Sequence, residues 1–322
     1  MGRGDVGPGR KLLVTYVTAG VTADWVEYLF AMQEAGADAI EVGLPFSDPM
    51  LDGVTVQQSS DRALARGVTV ASILRELHEV RDRVRVPLIA FTYSNLVFRP
   101  GPAALCRQLA EAGVRGLIVP DLPVEEADEV EAAAAAVGIE LTLLVAPVTP
   151  DDRLAEIVAR SRGYIYAVSR MGTTGERDSL ASSAAVVAAR VKAAQIRPAR
   201  AGGIGAGAAP GAVLTEVDGR ALRPGDRRGG SDPAARDLTG RDSMLDAGGV
   251  ASREAAGEDR TERVPVLVGF GISGVEQVAA AGRAGDGVVV GSALMRRVLD
   301  GATPRDLGAE VAALRGALDA LD

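Results

Sequence analysis

An α/β fold of the closed (β/α)8 TIM-barrel class is what this sequence predicts, on three observations. Short apolar runs recur along the chain, amphipathic segments alternate with them, and glycines stand where several of those segments stop. The runs are Leu12–Thr18, Asp38–Gly43, Pro87–Thr92, Gly116–Pro120, Glu140–Ala146, Tyr164–Ser169, Pro265–Gly269 and Gly287–Gly291. Most are near-continuous in Val, Ile, Leu and Ala, as expected of parallel strands covered on both faces. Helical patterns at Trp25–Glu34, Ala71–Val84, Pro102–Glu111, Glu125–Ala136 and Ser183–Ala194 lie between them. Gly36, Gly113 and Gly138 follow helical segments, where a left-handed cap costs glycine little. Strands and helices alternating at this length point to a barrel, with an open doubly wound sheet as the structural rival.

The count closes only if residues from about 196 to 263 are set aside from a single barrel domain spanning 1–322. This stretch is rich in Gly, Ala, Arg and Asp and has no Phe, Tyr, Trp, Lys or His. It offers too little apolar surface to offset its ordering entropy and reads as a disordered insertion. Placed between a helix and the next strand, it belongs on the face of the barrel opposite the catalytic mouth. Its Gly202–Gly207 run imitates a dinucleotide loop but follows no strand and opens no helix, so it reads as linker.

Composition narrows the function classes. With 322 residues, 47% of them hydrophobic, the chain can bury a large core, yet its apolar runs are only strand-length. A membrane helix needs roughly 20 consecutive apolar residues. Residues 1–11 are Gly-rich and polar, without an apolar core of the kind that marks export, so the expected location is the cytoplasm. Cys106 is the only cysteine, which argues against an internal disulfide or a cysteine-rich metal site. A net charge of −8 makes nucleic acid or an anionic membrane a poor partner.

Residues 41–58 carry most of the chemical information. Glu41 closes a buried run, and Asp52 follows at the far end of the Pro- and Gly-punctuated loop Leu44–Gly53. A carboxylate among apolar walls has its charge disfavoured, which raises its pKa toward neutrality. That suits a group which must both give and take a proton; the alternative is a buried acid satisfied by backbone hydrogen bonds. Gly269–Ser273 and Gly291–Ala293 follow the last two strands and open helices, the arrangement in which barrels bind phosphate on backbone N–H groups. Ser169–Gly175 is long, polar and Gly-flanked, as in a mobile lid, or a plain surface loop. Asp48 reads as a turn or partner-contact residue, Asp61 and His78 as solvated helix faces, and Trp25 and Cys106 as packing.

Five segments, in order, carry a family likeness: Glu41–Gln57, Tyr93–Phe98, Asp121–Glu126, Ser169–Gly175 and Gly269–Ser273. Together they resemble the α subunit of tryptophan synthase, a lyase, from Leu12 to Leu299 apart from the insertion. The resemblance implies retro-aldol cleavage of indole-3-glycerol phosphate to indole and glyceraldehyde 3-phosphate. It implies that Glu41 is the general acid/base and that Asp52 binds the indole N–H. Tyr16, Phe91 and Tyr93 would line the indole pocket, and Thr174 would orient Asp52. Gly175, Phe270, Gly271, Gly291 and Ser292 would bind phosphate. It implies no metal or cofactor in this chain, pyridoxal phosphate in a β partner, and an α2β2 assembly. The alternative is a catalytically weak subunit that binds and activates β. Three departures from the family pattern stand out: no amphipathic helix before Leu12, Val21-Thr22 where an acidic residue and Pro are usual, and Val54 where Pro is usual.

Overall fold

The computed structural model describes residues 9–168, 178–196, 263–269, 271–272 and 274–321. The chain divides into two units, residues 1–200 with 262–322, and residues 201–261. The second unit, and with it nearly all of the stretch read as a disordered insertion, lies outside the described residues.

Nine parallel strand segments form one sheet in the first unit: β1 (Leu12–Thr18), β2 (Ala39–Gly43), β3 (Leu88–Phe91), β4 (Val114–Ile118), β5 (Glu140–Thr142), β6 (Leu144–Val145), β7 (Ile165–Val168), β8 (Val266–Gly269) and β9 (Gly287–Val290). Their order is β5-β4-β3-β2-β1-β9-β8-β7-β6. The two ends of that order are consecutive in sequence, separated by Leu143 alone. The run expected as one strand, Glu140–Ala146, is thus split, its first half paired with β4 and its second with β7. The result is a nearly closed barrel whose single gap in the strand pairing is spanned covalently. Two backbone bonds stitch the seam, Arg162 N to Leu141 O at 2.8 Å and Tyr166 N to Leu143 O at 3.2 Å.

Helices Trp25–Glu34 and Pro102–Glu111 fall on the expected residues. Gly36, Gly113 and Gly138 have φ of +93°, +87° and +74°, so each ends its helix in the left-handed region that favours glycine. The segment expected as Glu125–Ala136 breaks at the buried Ala127 into a short 3₁₀ turn, Val124–Glu126, and a helix, Asp128–Ala136. The segment expected as Ala71–Val84 runs instead from Val70 to Val80, started by a Thr69/Ser72 capping box. Trp25 and Cys106 are buried in the core, and His78 is exposed, its Nδ1 2.9 Å from Glu111 O. No helix of the described residues is long and apolar enough to cross a membrane.

The described residues on either side of residues 201–261 are tied to each other. Gln195 Nε2 donates to Val264 O at 2.6 Å, joining the helix Asp178–Ile196 to the segment that enters β8. Beside them, Lys192 and Arg263 both reach Asp286, at 3.0 and 2.9 Å, and Val266 N donates to the same carboxylate. Burial opposes the Asp286 charge, but the Val266 N–H, Lys192 and Arg263 outweigh it and hold the carboxyl below its usual range. Joining residue 200 to 262 through a short Gly-Ser linker is therefore expected to preserve the fold. Loop shortening lowers closure entropy by about 0.6 kcal/mol per halving, so the melting temperature should stay level or rise. A fall of many degrees, or a large loss of activity, would refute the reading of residues 201–261 as dispensable.

Candidate active site

Side chains alternate across a strand, and the inward set here is chemically uneven. Tyr16 of β1 stands opposite Glu41 of β2 in the parallel register, and Glu41 stands opposite Ile89 of β3. Small residues make room for the large ones. A Cβ on Gly43 would lie 1.9 Å from the Tyr16 hydroxyl, and one on Gly269 would lie 2.5 Å from the Tyr166 hydroxyl. Both positions need glycine because a phenol already occupies the space.

At the mouth lies a cavity whose walls include Tyr16, Glu41, Asp52, Phe91 and Tyr166. Gly271, Gly291 and Ser292 form its other end. Glu41 is 1% exposed and sits in the middle of β2 rather than at its tip, the strand running on to Gly43. Its Oε1 accepts a 2.5 Å hydrogen bond from the Tyr164 hydroxyl. Burial pushes the Glu41 carboxyl up to about 8, and the Tyr164 bond, which favours the ionised form, only partly offsets it.

Asp52 reaches the same cavity from the loop before the helix Val54–Ala65. Burial raises it to about 6, against a lowering hydrogen bond from Tyr93. Tyr93 also accepts from Leu51 N at 3.2 Å and stacks on Phe46 with ring centroids 5.2 Å apart. Tyr93 is thus not among the cavity's lining residues; it holds Asp52 and its loop. Tyr16, Tyr164 and Tyr166 are all held well above the ordinary phenol range, first by burial and then by nearby carboxylates, so they remain protonated.

At the phosphate end, Gly271 has φ +79°, and Gly291 precedes the helix Ser292–Leu299, whose first N–H groups have no partner within the helix. The lining residues include no Lys or Arg. Among the described residues, what this end offers an anion is backbone N–H groups and the Ser292 hydroxyl. Among the described residues no group of three or more His, Cys, Asp or Glu side chains could hold a metal ion.

Of the residues singled out from sequence, Glu41, Asp52, Tyr16, Phe91, Gly271, Gly291 and Ser292 converge on this cavity. Thr174, Gly175 and Phe270, with all of the expected lid segment Ser169–Gly175, lie outside the described residues. Tyr164 and Tyr166 were not anticipated. Their two-residue spacing in a barrel strand was the available signal, since it puts both phenols on one face. Asp48 is exposed and accepts from Ser47 Oγ at 2.6 Å, and Asp61 is exposed on its helix.

Comparison with known proteins agrees with this geometry. A family model described as "Tryptophan synthase alpha chain" matches residues 5–219 and 255–318. The tryptophan synthase alpha chain of Synechococcus sp. (strain CC9902) is 35% identical over 322 residues, covering 97% of this chain and 93% of the relative. That of Citrifermentans bemidjiense is 36% identical over 290 residues, covering 89% and 84%. Among solved structures, tryptophan synthase from M. tuberculosis aligns with a TM-score of 0.68 at 28% identity, covering 96% of this chain and 93% of that one. Fold, cavity and relatives converge, and the chain belongs to the tryptophan synthase alpha chain family.

Proposed function

We propose that Glu41 and Asp52 divide between them the proton chemistry of indole-3-glycerol phosphate cleavage. As a member of its family the chain is a lyase that carries out this reaction in tryptophan biosynthesis. Breaking the bond between the indole ring and the glycerol side chain requires a proton delivered to the ring carbon. It also requires a proton taken from the side-chain hydroxyl that becomes the aldehyde. The ring nitrogen carries positive charge in between. One group can serve both transfers if it begins protonated and its pKa is near neutral, and Glu41 at about 8 meets both conditions. Asp52 at about 6 is ionised where Glu41 is still protonated, so it can accept the indole N–H and oppose the developing cation. This separation of two carboxyls on one cavity is the observation that carries the reading.

Tyr16 and Phe91 flank the indole in this reading, their rings packed edge to face at 6.0 Å. Gly271, Gly291 and Ser292 take the phosphate, with Gly175 and Phe270 completing that end and Thr174 orienting Asp52. The chain needs no metal or cofactor of its own for these steps; pyridoxal phosphate belongs to the β partner. The exposed apolar side chains Met50, Leu51 and Val54, which flank Asp52 in sequence, belong in this reading to the surface that a β subunit would cover in an α2β2 assembly.

The test is glyceraldehyde 3-phosphate release from indole-3-glycerol phosphate, with a related β subunit added or omitted. Turnover that rises with β supports both lyase and partner. A folded protein that binds substrate and activates β without turnover would make it a regulatory subunit with an idle site.

A further inference from the structure

Two helices meet at the mouth, and each ends in a different half of the cavity. The helix Ser292–Leu299 begins at the phosphate end, where Gly291 and Ser292 line the wall. The helix Val54–Ala65 begins two residues after Asp52, and Gly53, Asp52 and Val56 line the wall beside it. Its N-cap is Gly53, which offers no side chain to cap the first turn.

One residue of the phosphate-end helix supplies a restraint from outside. Arg296, one turn beyond Ser292, donates through Nη2 to Thr55 Oγ1 at 2.7 Å and through Nη1 to Gln58 Oε1 at 3.3 Å. The two acceptors sit three residues apart on one face of the Val54–Ala65 helix. Gln57, between them, donates to Asp52 O at 2.8 Å. On the inner side the same helix is pinned by Ser59, whose hydroxyl lies 2.6 Å from Thr18 Oγ1 while Thr18 bonds the Tyr16 hydroxyl at 3.2 Å. Arg62 Nη2 joins the far ends of the two helices through Leu299 O at 3.0 Å. The inner pin and the far latch lie at Ser59 and Arg62, and Tyr93 holds the Asp52 loop from its other side, so Arg296 is the tie from the phosphate-end helix to the first turn that follows Asp52.

We infer that Arg296 is a positioning residue that couples the phosphate end of the cavity to Asp52. An anion seated at Gly291 and Ser292 orders the start of one helix. The planar, two-pronged guanidinium of Arg296 passes that order to Thr55 and Gln58, and so to the carboxylate three residues before Thr55. The consequence is that the phosphate half and the indole half of the ligand bind cooperatively. Arg296 touches neither half, so its removal leaves each separate affinity in place.

The inference rests on the lyase reading of the site, and its test separates the two. Glycerol 3-phosphate and indole are titrated calorimetrically, each alone and each in the presence of the other, with the full chain. The variants are Arg296→Met, which keeps the aliphatic stem, Thr55→Val, the double variant, and Arg296→Lys. In the wild-type chain each ligand is expected to tighten the other by about fivefold, a typical coupling between sites. In Arg296→Met and Thr55→Val that factor falls toward one, while each separate affinity and the melting temperature hold. The double variant matches the singles, as residues acting through one contact should. Arg296→Lys, which restores one donor, recovers part of the coupling. Undiminished coupling in Arg296→Met overturns the inference, as does a wild-type chain that binds both ligands independently. Loss of both separate affinities together with melting temperature also overturns it, because Arg296 is then ordinary structural support. A wild-type chain that binds neither ligand overturns the lyase reading itself, and this inference with it.

Discussion

Glu41→Gln is expected to lower kcat for indole-3-glycerol phosphate cleavage by roughly 10²- to 10⁴-fold, the range for loss of a positioned acid/base. Substrate affinity should stay near the wild-type value. Glutamine fills the same space, and its amide oxygen can accept the Tyr164 hydroxyl that now bonds Oε1. It cannot exchange a proton with the ring carbon or with the side-chain hydroxyl. A variant turning over within tenfold of wild type would remove Glu41 from the role proposed for it.

The same substitution makes a second, independent prediction about stability. The Glu41 carboxyl goes from 4.5 in a free chain to about 8 in the barrel, first through burial. The folded protein therefore binds a proton that the unfolded chain releases between those values, and stability is lost as pH rises through that window. Glutamine has no such proton to lose. At pH 8 the variant should be more stable than wild type by about 1–4 kcal/mol, at about 1.4 kcal/mol per pKa unit. At pH 4 the advantage should disappear. Thermal melts at the two pH values read this directly. Equal stability of the two proteins at pH 8 would mean that the barrel does not disfavour the Glu41 charge, and the acid/base argument would lose its basis.

How much of this was readable beforehand depended on whether the information was local. Parallel barrel strands are apolar on both faces, so β1 and β9 stood out without alternation. Helices with a strong apolar stripe, or Pro at the start and Gly at the end, such as Pro102–Glu111, were placed to the residue. The helix Val54–Ala65 was not, because its buried face is Val56, Ser59, Ser60 and Ala63, too polar and small to register as an apolar stripe. The split at Leu143 was equally hidden, since pairing to two different neighbours leaves no trace in a continuous apolar run. Glu41 and Asp52 were legible as unusual carboxylates in unusual company. Their partners were not: Tyr164 is 123 residues from Glu41 in sequence, and only the closed barrel brings the two together. Tyr93, expected at the indole pocket, bonds Asp52, a contact equally invisible in the sequence. A sequence shows that a phenol is near the mouth but not which way it points.

Burial of the two carboxyls, only partly offset by those phenols, sets up the second large effect, a bell-shaped pH dependence that collapses on one side in Asp52→Asn. The competent form has Glu41 protonated and Asp52 ionised. With Asp52 at about 6 and Glu41 at about 8, that form dominates between the two values. The rise of kcat/KM from low pH follows deprotonation of Asp52, and the fall at high pH follows deprotonation of Glu41. The two limbs belong to the pair as measured, since both groups face one cavity. Asp52→Asn removes the charge opposite the indole nitrogen while keeping the side chain's shape. Its expected cost is about 10²- to 10³-fold in kcat/KM, as for other groups aimed at charge developing in a transition state. The remaining activity should keep the alkaline limb and lose the acid one. If both limbs survive in Asp52→Asn, the low-pH group is something other than Asp52. If the order were reversed, with Asp52 the more basic of the two, the competent pair would be a minor species at every pH. Burying Glu41 in the middle of β2, while leaving Asp52 at the partly solvated edge of a loop, is what keeps the order right.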